Sequence, residues 1–175
     1  MKHLLPVLCL ALPLSAATAS AAAIAIVEAE PSTLPPVTVH APSPCLACID
    51  WAEHLRQAGF TVTLRERADM AAVKRRLKVP AAVASVHTAQ VAGYFIEGHV
   101  PAEDIKELLR EKPRARGLAV PGLPRGAPGR EQSNPFCDTA CTIVDSVPGQ
   151  REIRRELYDT LLVLPDGTTR TWARH

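Results

Sequence analysis

Residues 41–60, APSPCLACIDWAEHLRQAGF, set Cys45 and Cys48 three positions apart, just after Pro44, where an extended stretch turns helical. At the start of a helix, free backbone N–H groups and the positive end of the dipole favour thiolate over thiol. A thiolate is both the nucleophile of disulfide exchange and a ligand for soft metals, so one electrostatic setting serves two chemistries. Three readings follow for the pair. It is a thiol–disulfide oxidoreductase centre with Cys45 as nucleophile and Cys48 as resolving thiol, a metal site, or a structural disulfide.

Cys137 and Cys141 lie four positions apart, which on a helix is again one face. They read as a local disulfide, as a resolving pair for the first two cysteines, or as two further thiolates for one metal centre. Among the histidines, His87 in SVHTA and His99 in EGHVPAED fall at the ends of elements, where side chains can converge on one edge of a sheet. Capping or hydrogen bonding is the competing use of each. His40 and His54 are weaker candidates, and His54, mid-helix beside Glu53, reads as a surface residue. Thiolate together with imidazole selects Cu(I) over hard ions, and zinc accepts the same donors. The candidate ligands are Cys45 and Cys48 with one or both of His87 and His99, all at element ends and so able to meet at one sheet edge, with Cys137 and Cys141 as additions. The chain has no Gly-rich phosphate loop, no G-x-S-x-G elbow and no HExxH.

The elements that must position these residues can be read from periodicity. PVTVHAP gives a strand over about residues 37–41, ended by Pro42 and Pro44. Cys45 to Ala58 carries Ile49, Ala52, Leu55 and Ala58 at helical spacing, with Gly59 as the stop. FTVTLRE is a second strand. DMAAVKRRLK is a second helix capped by Asp69, its inward face Met70, Val73 and Leu77 and its KRR a solvated face. Two short strands flank Ala92-Gly93, and PAEDIKELLREKP is a third helix with Pro101 in its first turn and Ile105, Leu108 and Leu109 inward. Residues 114–133 read as a Gly/Pro/Arg loop, NPFCDTACTIVDS as a short helix, and LYDTLLVLPDGTTRTWAR as a hairpin turning at Asp166-Gly167. A CxxC at a helix start within this order predicts an α/β, thioredoxin-like fold: a mixed β-sheet flanked by helices, with a C-terminal β-hairpin.

Residues 1–23, MKHLLPVLCLALPLSAATASAAA, have the form of a secretory signal peptide cleaved near Ala19 to Ala23. Cys9 would leave with it, and export places the mature protein in the periplasm. Its apolar run is too short to span a bilayer, so the mature chain is expected to have no membrane span. Residues 24–36 read as a flexible segment, 37–175 as the domain, and 134–148 as a Cys-containing insertion. Twenty Lys and Arg against eighteen Asp and Glu, a net charge of +2, point away from nucleic acid and anionic membranes as partners. A monomer is expected.

The blocks CxxC-x2-WAEHLRQAGF, DMAAVKRRLKVP, SVHTA, GYFIEGHVPAEDIKELL, GLAVPGLPRGAPG and YDTLLVLPDGTTRTW, in this order, resemble the DUF411 family of small exported proteins, which includes copper-resistance proteins. The resemblance covers about residues 37–175. It implies a thioredoxin-like domain that binds copper, as Cu(I) or Cu(II), through clustered cysteines. A redox role for the metal and other copper-export or copper-resistance proteins as partners are implied with it. Where the family carries CxCC, this chain has Ala47 in the middle. Val86 stands at the family's cysteine before His-Thr, and Leu123 and Arg130 stand at methionines of the Gly/Pro loop.

Overall fold

Val37–Ala41 forms strand β1, and its β-branched alternation buries Val37 and Val39 almost completely. The computed structural model describes residues 34–131 and 155–175, which lie in one compact unit, Pro31–His175. The leader 1–23, the helix expected in NPFCDTACTIVDS, and Cys137 and Cys141 fall outside the described residues. At the near end of segment 24–36, Leu34 packs against the main core.

Helix α1, Leu46–Gln57, follows β1 and leads to β2, Val62–Glu66, which pairs with β1 in parallel, Val37 opposite Val62. Helix α2, Met70–Leu77, is capped as expected by Asp69, whose carboxylate accepts from the Ala72 N–H at 2.8 Å. After a single 3-10 turn at Ala81–Val83, β3 (Thr88–Val91) runs antiparallel to β1 and pairs antiparallel with β4 (Tyr94–Glu97). Their connection is Ala92-Gly93, both at positive φ (46° and 87°), the geometry of a two-residue hairpin turn. Helix α3, Ala102–Glu111, buries Ile105 and Leu108 as its periodicity predicts. β5 (Gly117–Ala119), β6 (Asp159–Val163) and β7 (Thr169–Arg174) complete one seven-stranded mixed sheet, ordered β2-β1-β3-β4-β5-β6-β7. The mixed α/β architecture and the closing hairpin agree with the sequence reading.

Three expectations need correction. Residues 114–133 are not all loop, because Gly117–Ala119 is a fully buried strand between β4 and β6. It is too short to show a period, and it begins on a glycine because a Cβ there would run into the Phe95 carbonyl. The inward face of α1 is Cys48, Trp51, Ala52 and Leu55, and Ile49 is 46% exposed. Burying Trp51 removes more apolar area from water than burying Ile49, and the indole N–H is satisfied by the Val100 carbonyl at 2.9 Å. Lys74, read as part of a solvated face, instead turns inward onto the buried Glu97.

The main core joins Val37 and Val39 of β1, Trp51 and Leu55 of α1, Ile96 of β4, Ile105 and Leu108 of α3, and Leu118 of β5. A second, smaller cluster joins Val83, Phe95, Ala119 and Val163 with Leu77 of α2 packed against it. The residues of chemical interest lie at the margin of the main core, at the ends of β1, β3 and β4.

Candidate metal centre

Cys45 is the N-cap of α1, and its sulfur accepts the Cys48 N–H at 3.3 Å. The two sulfurs form a disulfide across a Cα–Cα distance of 5.3 Å. Cys45 keeps 7% of its surface and Cys48 none. With Ala41 at the end of β1 they make a small apolar cluster, against which Val86 packs.

Val86 is followed by His87, which enters β3 with no exposed surface. One turn beyond Cys48, Trp51 lays its indole on the His87 ring, with centroids 4.4 Å apart and planes inclined by 38°. On to that ring comes His99, between β4 and α3, edge-on at 4.8 Å and 83°. The Gly98 N–H donates to the His87 carbonyl at 3.0 Å, tying the two histidine-bearing turns together.

His99 is also fully buried, and its Nδ1 lies 2.8 Å from the Pro128 carbonyl. A carbonyl can only accept, so Nδ1 carries the proton and the neutral ring presents the Nε2 lone pair. The strand of loop that supplies Pro128 is held down by its neighbour. Gly129 has φ +78°, and a Cβ there would sit 2.6 Å from the Trp51 nitrogen and 2.8 Å from the Ala47 carbonyl. Only a residue without a side chain lets the loop lie this close to α1.

Both imidazoles are driven towards neutrality. Burial pushes the His87 pKa well below its usual value, and the neighbouring His99 and Lys74 add to the effect. Burial likewise takes His99 down to about 4; its hydrogen bond to Pro128 opposes this and the nearby Arg130 charge reinforces it. Neutral imidazole is the form that ligates metal. Of the four ring nitrogens of this pair, His87 Nδ1, His87 Nε2 and His99 Nε2 have no hydrogen-bond partner among the described residues, as is also true of His40 Nδ1 and Trp172 Nε1 elsewhere. Buried polar atoms are nearly always paired, so three unpartnered nitrogens on two touching rings call for an explanation. Their chemistry fits a soft or borderline metal ion.

Beside these orphans stands a fully partnered carboxylate. Glu97, with no exposed surface, pairs with the Lys74 ammonium, accepts the Ser85 N–H at 2.6 Å and accepts the Thr88 hydroxyl at 2.6 Å. Burial raises its pKa, and the Lys74 charge and the donated hydrogen bonds oppose that. The lattice of bonds fixes the start of β3 against the end of β4, and so fixes where His87 and His99 emerge.

The expected residues therefore come together in two pairs, Cys45 with Cys48 and His87 with His99. The pairs are linked by the steps Val86–His87 and Cys48–Trp51. Among the described residues no group of three or more His, Cys, Asp or Glu side chains is disposed to hold a metal ion. In a disulfide the sulfurs are not thiolates, so in this state the imidazoles alone are available as donors.

His40 lies on β1, its Nε2 3.3 Å from the Gln90 side chain. His54 is not a free surface residue, because its Nε2 accepts the Ala102 N–H at 3.1 Å and caps α3 from the neighbouring helix. Pro101 offers no side-chain cap of its own. Trp51 went unremarked in the sequence, although its place one turn after Cys48 was a signal that it shares the site's face.

The model of the family described as "Protein of unknown function, DUF411" matches residues 83–130, the stretch holding His87, His99, Gly129 and Arg130. Two solved structures of a copper resistance protein, CopG, in form 1 and form 2, are each 37% identical to this chain. Each covers 81% of this chain and 98% of its own, with a TM-score of 0.66. No curated protein matches the chain.

Proposed function

Because this chain belongs to the DUF411 family, we propose that it is an exported copper-binding protein of metal resistance or homeostasis. The observation that carries the reading is the pair of buried, neutral, touching imidazoles with three unpartnered nitrogens. In the reduced protein Cys45 and Cys48 add two thiolates at a helix N-terminus, giving a sulfur and nitrogen donor set that prefers Cu(I) and also admits zinc. Cys137 and Cys141 would supply further thiolates. Bound copper would bring access to the Cu(I)/Cu(II) couple. The protein's own part is to hold the donors, exclude water with Trp51 and the Gly129 loop, and keep both imidazoles unprotonated.

The apolar leader, Leu4 to Leu14, supports periplasmic residence. No described helix is long and apolar enough to cross a membrane. A thioredoxin-like core is supported by β1-α1-β2-α2-β3-β4-α3 in chain order with β2-β1-β3-β4 in the sheet. The test of function is metal analysis of protein purified from the periplasm, with thiols counted in parallel. Copper near one equivalent or above, lost in Cys45→Ser/Cys48→Ser and in His87→Ala/His99→Ala, is the expected result. Metal-free protein from copper-fed cells would refute it.

A second reading, a thiol–disulfide oxidoreductase, draws on the disulfide at the α1 N-terminus, of whose two residues Cys45 is the less completely buried. Catalysed reduction of a disulfide substrate by a dithiol, abolished in Cys45→Ser, would favour it over metal binding.

A further inference from the structure

The two donor pairs differ in when they are available. The imidazoles are ready in the structure as it stands, whereas the sulfurs are bonded to each other. A third group bears on the same place. Arg130, next to Gly129, is 6% exposed; its Nη2 donates to the Leu123 carbonyl at 2.9 Å, while Nε and Nη1 have no partner among the described residues. Its charge is felt at His99.

We propose that the Cys45–Cys48 disulfide is a redox gate on metal loading, closed in the state seen here and opened by a dithiol reductant. The inference rests on the copper reading above. Its physical basis is charge as well as donor count. With the disulfide closed, a monovalent cation would meet two neutral rings and the buried guanidinium, and burying like charges together is costly. With the disulfide open, two thiolates and one Cu(I) carry a net charge of −1, so the burial of like charges no longer opposes loading. The same buried guanidinium thus opposes a bare cation beside His99 and does not oppose the anionic thiolate complex.

Opening proceeds by thiol–disulfide exchange. A reductant thiolate attacks Cys45, the residue of the pair that keeps 7% of its surface, forming a mixed disulfide and expelling Cys48 as a thiolate. The reductant's second thiol then attacks the mixed disulfide, leaving as a cyclic disulfide and freeing Cys45. Two electrons and two protons pass from the dithiol to the protein, and Cu(I) binding then displaces the protons from sulfur.

The test uses the full chain carrying Cys9→Ser, Cys137→Ser and Cys141→Ser, so that Cys45 and Cys48 are its only cysteines. Cu(I) affinity is measured anaerobically by competition with a chromophoric bicinchoninate probe, on protein either oxidised or reduced and freed of reductant. The reduced form is expected to bind at least about a hundredfold more tightly, since even outer partners of a metal ligand are worth 10–100-fold. Arg130→Gln should narrow that ratio by strengthening the oxidised form. Equal and tight binding in both states would overturn the gate while leaving the copper reading intact. Absence of binding in either state would overturn the copper reading and the gate with it. Cys45→Ala/Cys48→Ala, which cannot close or open, should match the oxidised form whatever reductant is added. If it instead matches the reduced form, the sulfurs are not the gate.

Discussion

Glu97 and His99 stand two residues apart in EGH, both without exposed surface, and their polar atoms have opposite fates. The Glu97 carboxylate is held by an ammonium, a backbone N–H and a hydroxyl. His99 keeps one ring nitrogen unpartnered, and His87 against it keeps two. The first is a polar cluster that closes on itself and locks β3 to β4. The second is held in place by its surroundings yet keeps three ring nitrogens unpaired. The difference teaches that two equally buried polar groups can be satisfied in opposite ways, and that the unpaired one is the one that calls for an explanation.

The largest effect is expected in the closed cluster. Lys74→Ala strands the Glu97 carboxylate in the interior and should cost about 3–5 kcal/mol, as loss of one partner of a buried ion pair does. Denaturant unfolding checks this, and a second change, Glu97→Gln, should restore part of the loss. A cost under about 1 kcal/mol would place Glu97 in contact with water.

Acidification should act on the open cluster next. Above pH 6.5 His99 is neutral in folded and unfolded chains alike. Between 6.5 and about 4 only the unfolded chain takes up the proton, so stability falls as pH falls and levels off below the folded pKa. At about 1.4 kcal/mol per pH unit the loss from this residue is about 3 kcal/mol, with His87 acting in the same direction. Unfolding free energies at pH 7 and pH 4.5 should show the drop, and His99→Gln should flatten it.

Gly129→Ala forces a side chain against the α1 backbone at a left-handed φ. A cost of about 1–3 kcal/mol is expected, and the Pro128 carbonyl should part from His99. The His99 Nδ1 proton, followed by NMR, should then exchange faster. His54→Ala removes the borrowed cap of α3 and should cost about 1 kcal/mol.

The smallest change in stability sharpens the comparison most. His87→Leu replaces a ring with two unpaired nitrogens by an apolar side chain, and should shift stability by less than about 1 kcal/mol in either direction. Its copper affinity should nevertheless fall.

Much of the scaffold was legible because it follows local rules. The β1 alternation, the Asp69 cap, the Ala92-Gly93 turn and the α3 stripe each depend on a few adjacent residues. What escaped depends on distant ones. Gly117–Ala119 is a strand only because β4 and β6 lie on either side. Lys74 turns inward only because Glu97 awaits it across the fold. His54 caps a helix that begins 48 residues later. For the site, spacing singled out Cys45 and Cys48, and position at element ends singled out His87 and His99. Neither could show that Trp51 covers His87, or that the Pro128 carbonyl sets the His99 tautomer.

The central claim is that thiolates from the α1 N-terminus and imidazoles from the β3 and β4 ends serve one copper ion. The most direct measurement is X-ray absorption at the copper edge of the reduced, Cu(I)-loaded chain. The account predicts a mixed shell of sulfur and imidazole nitrogen. Sulfur should vanish in Cys45→Ser/Cys48→Ser made in a Cys9→Ser/Cys137→Ser/Cys141→Ser background, and nitrogen in His87→Ala/His99→Ala. A shell with no imidazole, or a spectrum unchanged by either double substitution, would contradict it.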